Sequence, residues 1–95
     1  MNPITTKRPR GSFTRFTNNE PSTVKLLYIT KGEEFSLQYH THRTEFWKIL
    51  EGNPEIVVGE EVVHNPKPGD EFVITPNTKH RISAVLDNVI VLEIS

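Results

Sequence analysis

From Phe13 onward the chain is a succession of short segments rich in β-branched and aromatic residues, with Gly, Pro and Asn between them. Such segments are typical of β-strands, and no window of about 11 residues keeps the period of a helix. The candidate strands are residues 23–30, 35–40, 45–50, 55–58, 61–64, 71–74, 80–85 and 89–94. Strands this short and this regularly spaced predict a β-sandwich or a small barrel, with Gly59-Glu60 as a hairpin turn.

The length of 95 residues predicts a single domain with a thin core, which association or a bound metal would help to stabilise. A net charge of −1 provides no broad basic face, so nucleic acid is not an expected partner. The sequence has no cysteine, which excludes disulfides and thiolate chemistry. Because no apolar run approaches ~18 residues and no secretory signal is present, we expect a soluble cytoplasmic protein without a membrane partner.

The first twelve residues differ in composition from the remainder. They are polar, and they include the basic residues Lys7, Arg8 and Arg10 and two prolines. Polar terminal segments of this kind are commonly solvated and only partly ordered. We therefore predict an N-terminal arm over residues 1–12 and a barrel domain over residues 13–95.

The segment LQYHTHRTE, residues 37–45, holds two of the four histidines. In a regular strand Gln38, His40 and His42 share one face, and the large apolar residues share the other. Glu45 breaks this parity, but the THRT sequence can form a turn that returns it beside His40. On the outside of a sheet such residues form a polar surface, and inside a barrel they form half of a metal site. These residues leave both interpretations open.

Other residues extend or limit this hypothesis. His80 begins a strand after the turn TPNTK and is a better candidate ligand than His64, which we expect at the surface. Trp47 has the same parity as Glu45 and should face the interior. Phe35 should lie on the face opposite Gln38 if the strand is regular. Imidazole, carboxylate and amide donors suit Zn²⁺, Mn²⁺, Fe²⁺, Co²⁺ or Ni²⁺, and the donor types do not choose between them.

The spacing of these residues resembles the two motifs of the cupin superfamily. From Gly32 the chain reads G-x5-Q-x-H-x4-E-x6-G, ending at Gly52, with Gln38 in the position of the first motif histidine. From Gly69 it reads GDEFVITPNTKH, and His80 follows that glycine by eleven residues, as in the second motif. The resemblance implies an all-β, jelly-roll-like barrel, the double-stranded β-helix, with a divalent metal ion inside. The implied metal ligands are Gln38, His40, Glu45 and His80.

Three segments are similar, more narrowly, to the type II mannose-6-phosphate isomerase domain, the C-terminal part of bifunctional mannose-1-phosphate guanylyltransferase/isomerases. They are RPRGSF (8–13), FSLQYHTHRTEFWKILEG (35–52) and KHRI (79–82). Glutamine in place of the first histidine is the most specific shared feature. Arg10 departs from the pattern, because tryptophan is usual there. Asn77 occupies a glycine position, which Asn tolerates because it readily adopts a left-handed conformation.

This resemblance implies a metal-dependent aldose–ketose isomerase that interconverts mannose-6-phosphate and fructose-6-phosphate. Such a reaction needs a base, a group that stabilises the oxyanion and an anchor for the phosphate. The candidate catalytic residues are Arg8, Glu45 and His42, and the candidate substrate-binding residues are Arg8, Arg43 and Lys79. A phosphorylated sugar is the expected ligand, and a homodimer is the expected assembly.

Two other functions fit the same residues. The chain could be a small metal-binding cupin that binds a sugar or another metabolite without turnover. It could also be a cupin oxygenase or lyase, although Gln38 in place of a histidine makes an iron site less suitable. Metal analysis with His40→Ala would separate any metal-binding cupin from a β domain without a metal.

Overall fold

The computed structural model describes residues 3–38 and 42–95, with residues 36–38 described through their backbone. All regular secondary structure in these ranges is β-strand. The strands are β1 Ile4–Arg8, β2 Gly11–Arg15, β3 Val24–Ile29, β4 Glu34–Gln38, β5 Glu45–Glu51, β6 Glu55–Val58, β7 Glu61–Val63, β8 Glu71–Ile74, β9 His80–Ser83 and β10 Val89–Ile94. Within these ranges, nothing forms a helix long and apolar enough to pass through a membrane.

Strands β3 to β10 form two antiparallel sheets of four strands each. One sheet has the order β3-β10-β5-β8 and the other the order β4-β9-β6-β7. Apolar residues of both sheets meet in one core cluster, so the sheets close around a shared interior. Because the chain passes between the sheets at almost every connection, the barrel is a double-stranded β-helix of the jelly-roll type. The predicted all-β, single-domain barrel is confirmed.

Side-chain alternation determines which residues fill the barrel. In β10, Val89 and Val91 are buried in the core, whereas Ile90 and Leu92 lie half-buried on the outer face. Each fully buried aliphatic side chain stabilises the fold by about 1.5–3 kcal/mol relative to an exposed one. The core cluster consists of Ile29, Trp47, Ile49, Ile56, Ile74, Ile82, Ala84, Val89 and Val91. Trp47 therefore faces the interior, as its parity predicts.

Strand β4 departs from the regular strand that we expected. Phe35 pairs with Ile82, but Gln38 pairs with His80, so one extra residue of β4 lies between these two pairs. A bulge of this kind shifts the alternation of the strand by one position. As a result Phe35, expected on the face opposite Gln38, lines an interior cavity next to His80.

A separate antiparallel hairpin, β1–β2, occupies much of the predicted N-terminal arm. Its register pairs Ile4 with Arg15 and Arg8 with Gly11, and nearly all of its side chains are exposed. The chain joins the barrel at Phe16, whose ring packs against that of Phe46 with centroids 4.6 Å apart. The hairpin is therefore an element distinct from the barrel.

Two turns require a left-handed backbone. Asn77 has a φ of 62°, as predicted from its place at a glycine position of the motif. Gly52 has a φ of 86°, and a Cβ atom there would lie 2.3 Å from the carbonyl oxygen of Asn88. Gly52 is therefore needed both for its conformation and for the close approach of the loop that contains Asn88.

Candidate functional site

The buried ionisable side chains of the described residues lie at one end of the barrel. Glu45 at the start of β5, His80 at the start of β9 and Glu93 near the end of β10 are 1%, 5% and 7% exposed. In these antiparallel sheets the three positions fall at the same end. The opposite end carries buried apolar residues: Ile29 at the end of β3, Ala84 just after β9 and Val89 at the start of β10. The barrel therefore has one polar end and one apolar end.

Glu45 and His80 face each other across the interior of the polar end. The Oε2 atom of Glu45 lies 3.5 Å from Nε2 of His80, and both side chains are buried. The two residues belong to different sheets, since β5 lies in the first sheet and β9 in the second. This pair brings together two of the four predicted metal ligands in the interior of the polar end.

A backbone carbonyl sets the tautomer of His80. The Nδ1 atom lies 2.9 Å from the carbonyl oxygen of Thr78. Because a carbonyl can only accept, Nδ1 carries a proton and donates it to Thr78. In a neutral ring with this tautomer, the free lone pair is on Nε2, the atom that faces Glu45. Histidines that bind metals are commonly oriented by such a bond from their other ring nitrogen.

Arg43 contacts the other oxygen of Glu45. Its Nε and Nη2 atoms donate to Oε1 at 3.1 and 3.0 Å. The Arg43 side chain is about half exposed, whereas that of Glu45 is buried. The guanidinium therefore holds the carboxylate from the mouth of the barrel, with Oε2 turned toward His80.

The arrangement of Glu45 and His80 is compatible with a divalent metal ion. Two donors bound ~2.1 Å from one ion lie ~3.0–3.4 Å apart at octahedral or tetrahedral angles, close to the observed 3.5 Å. The backbone register places Gln38 opposite His80. His40 lies outside the described residues, and those residues alone contain no group of three or more His, Cys, Asp or Glu that could hold a metal. The two predicted ligands whose side chains are described therefore fit the ion.

A second buried carboxylate, Glu93, shares the polar end and was not identified by the sequence analysis. Trp47 Nε1 donates to its Oε2 atom at 3.0 Å, and Lys25 Nζ lies 3.8 Å from Oε1. The register explains these contacts, because Lys25, Glu93 and Trp47 are neighbours across β3, β10 and β5. The Trp47 ring also meets the His80 ring edge-on, with centroids 5.3 Å apart. Trp47 therefore connects the two buried carboxylate sites.

A cavity of about 40 Å³ lies between these groups. Leu27, Phe35 and Ile82 supply its apolar walls, and His80, Arg81, Trp47 and Glu93 supply its polar groups. Its volume suits a few water-sized groups, since about 10–15 Å³ of such space is enough to hold one water. The polar end of the barrel can therefore receive the end of a small ligand.

Two of the predicted phosphate-binding residues lie on exposed positions outside this cavity. Arg8 is in the β1–β2 hairpin, with its guanidinium carbon 5.5 Å from the ring centroid of Phe13. Lys79 is exposed and directly precedes His80 in the chain. Its carbonyl accepts the N–H of Gly59 at 2.7 Å, which fixes the backbone at the start of β9.

His42, a predicted catalytic residue, lies in a different depression. It is exposed and lines a surface groove of about 300 Å³ together with Glu20, Arg43 and Ser95. Arg43 borders this groove and also reaches Glu45, so it lies between the groove and the interior pair. His42 is thus near the mouth of the barrel but does not line the cavity beside His80.

A family model described as mannose-6-phosphate isomerase C-terminal matches residues 2–94. Among curated proteins, the chain is 29% identical over 75 residues to mannose-1-phosphate guanylyltransferase RfbM of Salmonella typhimurium, covering 79% of this chain and 15% of that protein. It is 36% identical over 56 residues to xanthan biosynthesis protein XanB of Xanthomonas campestris pv. campestris, covering 59% of this chain and 12% of that protein. The chain thus spans less than a fifth of the length of these relatives.

Solved structures share the barrel. A cupin 2 conserved barrel domain protein from Rhodopseudomonas palustris has a TM-score of 0.72 at 22% identity, covering 98% of this chain and 69% of that one. A cupin protein from Bacteroides fragilis has a TM-score of 0.70 at 25% identity, covering 77% of this chain and 63% of that one. These structural matches confirm the predicted cupin fold.

Proposed function

Because the chain belongs to the mannose-6-phosphate isomerase C-terminal family, we propose that it is a metal-dependent isomerase that interconverts mannose-6-phosphate and fructose-6-phosphate. The observation that carries the proposal is the buried pair of Glu45 and His80 inside a cupin barrel. Similarity to mannose-1-phosphate guanylyltransferases supports the substrate class. With a phosphorylated sugar as its substrate, the chain is proposed to act in the cytoplasm.

The proposed site contains a divalent ion, which is Zn, Mn, Co, Ni or Fe. When bound, it supplies a Lewis acid that polarises the sugar carbonyl. The residues proposed to hold it are Gln38, His40, Glu45 and His80. Arg43 orients the carboxylate of Glu45, and the Thr78 carbonyl orients the ring of His80. These two contacts prepare the donor atoms before any ligand enters.

The phosphate of the substrate is proposed to remain at the mouth of the barrel, where cations can bind it. Arg43 and Lys79 support this proposal because both flank the interior pair and are exposed. Arg8 would take part if the β1–β2 hairpin of this chain or of a second chain lies over the mouth. The reacting carbons would then enter the cavity beside His80.

The proposal is tested by metal analysis and by following both sugar phosphates with NMR in the purified, metal-loaded chain. We expect interconversion by the wild type, and loss of metal without loss of β structure in His80→Ala and His40→Ala. The matched control is His64→Ala, because His64 is 69% exposed and pairs with Glu55. A metal-loaded protein that neither converts nor binds either sugar phosphate would contradict the proposal.

One observation favours a second function, the binding of a small metabolite without turnover. The cavity of about 40 Å³ has room for only a few water-sized groups, so a whole hexose phosphate would extend beyond it. A barrel that keeps this volume when a ligand arrives would hold the ligand at its mouth, away from the interior groups. Saturable binding of sugar phosphate by the metal-loaded chain, with no interconversion, would favour this function.

A further inference from the structure

Glu93 is a buried ionisable residue that the proposed metal site does not use. It is 7% exposed and borders the cavity that His80 also lines. Burying a carboxylate is unfavourable unless the protein supplies partners for it. The neighbouring inward positions of β10 are Val89 and Val91, so an apolar residue would continue the pattern of the strand. A carboxylate in that position is therefore a candidate for chemistry inside the cavity.

The surrounding strands hold Glu93 in a defined orientation. Trp47 Nε1 donates to Oε2 at 3.0 Å, and this bond is buried. Lys25 Nζ lies 3.8 Å from Oε1, and the Lys25 side chain is about half exposed at the rim. The carboxylate is therefore anchored through one oxygen, while a weaker contact with a cation leaves the other better able to meet a ligand.

The other candidate bases are less well placed. Glu45 receives two N–H groups of Arg43 on one oxygen and turns the other toward His80, in keeping with a ligand role. His42 is exposed and lines a separate groove. Among the described residues that border the cavity, Glu93 supplies the carboxylate.

Building on the proposed isomerase function, we propose that Glu93 is the catalytic acid–base of the reaction and that Trp47 is the residue that positions it. In the open-chain aldose, Glu93 removes the proton from C2. The electron pair of the broken C–H bond forms a C1=C2 double bond, and the carbonyl pair moves onto O1. The product of this step is an enediolate with its proton held on Glu93.

The reverse transfer completes the isomerisation without a co-reactant. The O2 hydroxyl gives its proton to O1, and the electron pair left on O2 forms the C2 carbonyl. In the same step, the C1=C2 pair takes the proton from Glu93 onto C1. The ketose contains the same atoms as the aldose, and Glu93 returns to its starting carboxylate. One carboxylate can serve both steps because C1 and C2 are adjacent.

The experiment uses the full metal-loaded chain with fructose-6-phosphate in D₂O. NMR follows deuterium at C1 of fructose-6-phosphate and at C2 of mannose-6-phosphate, and steady-state kinetics give kcat and KM. For Glu93→Gln we expect kcat to fall about 10²–10⁴-fold, as general acid–base catalysis predicts, with deuterium incorporation reduced in parallel. KM and metal content should remain near wild type, which a general loss of structure would not allow.

The matched control is Glu71→Gln, which changes an exposed glutamate of β8 that lies 3.7 Å from Lys48. It should leave kcat and deuterium incorporation unchanged. Trp47→Phe removes the indole donor while keeping Glu93, and we expect about a 10-fold fall in kcat with slower exchange. Such a fall would support the positioning role, because the catalytic carboxylate itself is unaltered.

Wild-type exchange in folded Glu93→Gln would overturn the inference and leave the isomerase function standing. If Glu93→Gln does not fold, Glu93→Asp replaces it, because Asp keeps the charge but withdraws the carboxylate by one methylene. Loss of exchange in folded Glu93→Asp would support the inference, and full exchange would overturn it. Absence of interconversion in the wild type would refute the proposed function, and with it this inference.

Discussion

At the scale of the residue, each buried carboxylate is matched with a cation at the rim of the barrel. Arg43 holds Glu45 at 3.0 Å, and Lys25 approaches Glu93 at 3.8 Å. Both cations are about half exposed, so their charges stay hydrated while their stems reach inward. The rim therefore compensates the interior charge without burying a cation. It follows that a substitution at the rim changes the charge of the site and leaves the core packing intact.

Arg43→Gln is expected to destabilise the metal-free protein by about 1–2 kcal/mol. That figure lies below the range for a fully buried ion pair, because the guanidinium is half exposed and screened by solvent. A divalent ion bound at Glu45 would replace the lost positive charge, so the difference from wild type should shrink when metal is added. Urea unfolding followed by far-UV circular dichroism, with chelator or with metal, measures both effects.

Arg15→Gln serves as the control, since Arg15 is an exposed residue of the β1–β2 hairpin. Its free energy of unfolding should match the wild type in both conditions. If Arg43→Gln lost the same stability with and without metal, the proposed link between Arg43 and a metal at Glu45 would be wrong.

At the scale of the element, runs of β-branched and other apolar residues between turn residues made the barrel strands predictable. Strands β6, β8 and β10 cover the predicted residues 55–58, 71–74 and 89–94. The β1–β2 hairpin was not predicted, because its basic, proline-containing sequence has no apolar alternation. The bulge in β4 was also missed, since it depends on how β4 pairs with β9 and not on β4 alone.

Site residues, too, could be predicted where the signal is local in the sequence, and not where it depends on a distant strand. Glu45 and His80 could be proposed from the spacing within two local motifs, and the structure brings them together. Glu93 could not, because its place depends on Trp47, a partner 46 residues away in the chain. The one local sign of its role is that Glu93 is charged although it occupies a core-facing position of the apolar strand VIVLEI. That signal becomes informative once the register of β10 is known.

The turn at Gly52 offers a test of how the elements are joined. For Gly52→Ala we expect a loss of about 3–4 kcal/mol, because the Cβ would add a clash with the carbonyl of Asn88 to the cost of a left-handed backbone. Gly32→Ala is the matched control, with a φ of 89° and no atom within 4 Å of the added Cβ. It should cost about 1–2 kcal/mol, the conformational part alone. Equal midpoints of thermal unfolding for the two variants would show that the clash with the Asn88 carbonyl does not destabilise Gly52→Ala further.

At the scale of the whole molecule, the two faces of the β3-β10-β5-β8 sheet differ. The inner face closes over the core, and the outer face presents Val24, Leu26 and Tyr28 on edge strand β3, which are 65%, 48% and 64% exposed. Their register partners on β10 include Ile90 and Leu92, which are half-buried. Apolar residues in adjoining positions on an open sheet face are typical of surfaces that bind another protein. We propose that a second copy of the chain covers this face.

The expected assembly is a dimer with twice the 10.9 kDa mass of the chain. Because the charge would have to be desolvated at the interface, Leu26→Lys should shift the protein toward the monomer. Leu86→Lys is the control, since Leu86 is 55% exposed in the loop before β10. Light scattering coupled to size-exclusion chromatography measures the mass. A wild-type monomer at tens of micromolar, or a dimer unaffected by Leu26→Lys, would refute this interface.

Trp47 is the single tryptophan of the chain, and it touches both His80 and Glu93. The chain therefore contains one indole fluorophore, located at the site where the chemistry is proposed. Its emission reports on the polar end of the barrel with no contribution from another indole. Occupancy of that end can thus be followed optically in the unlabelled chain, by titration or in rapid-mixing experiments.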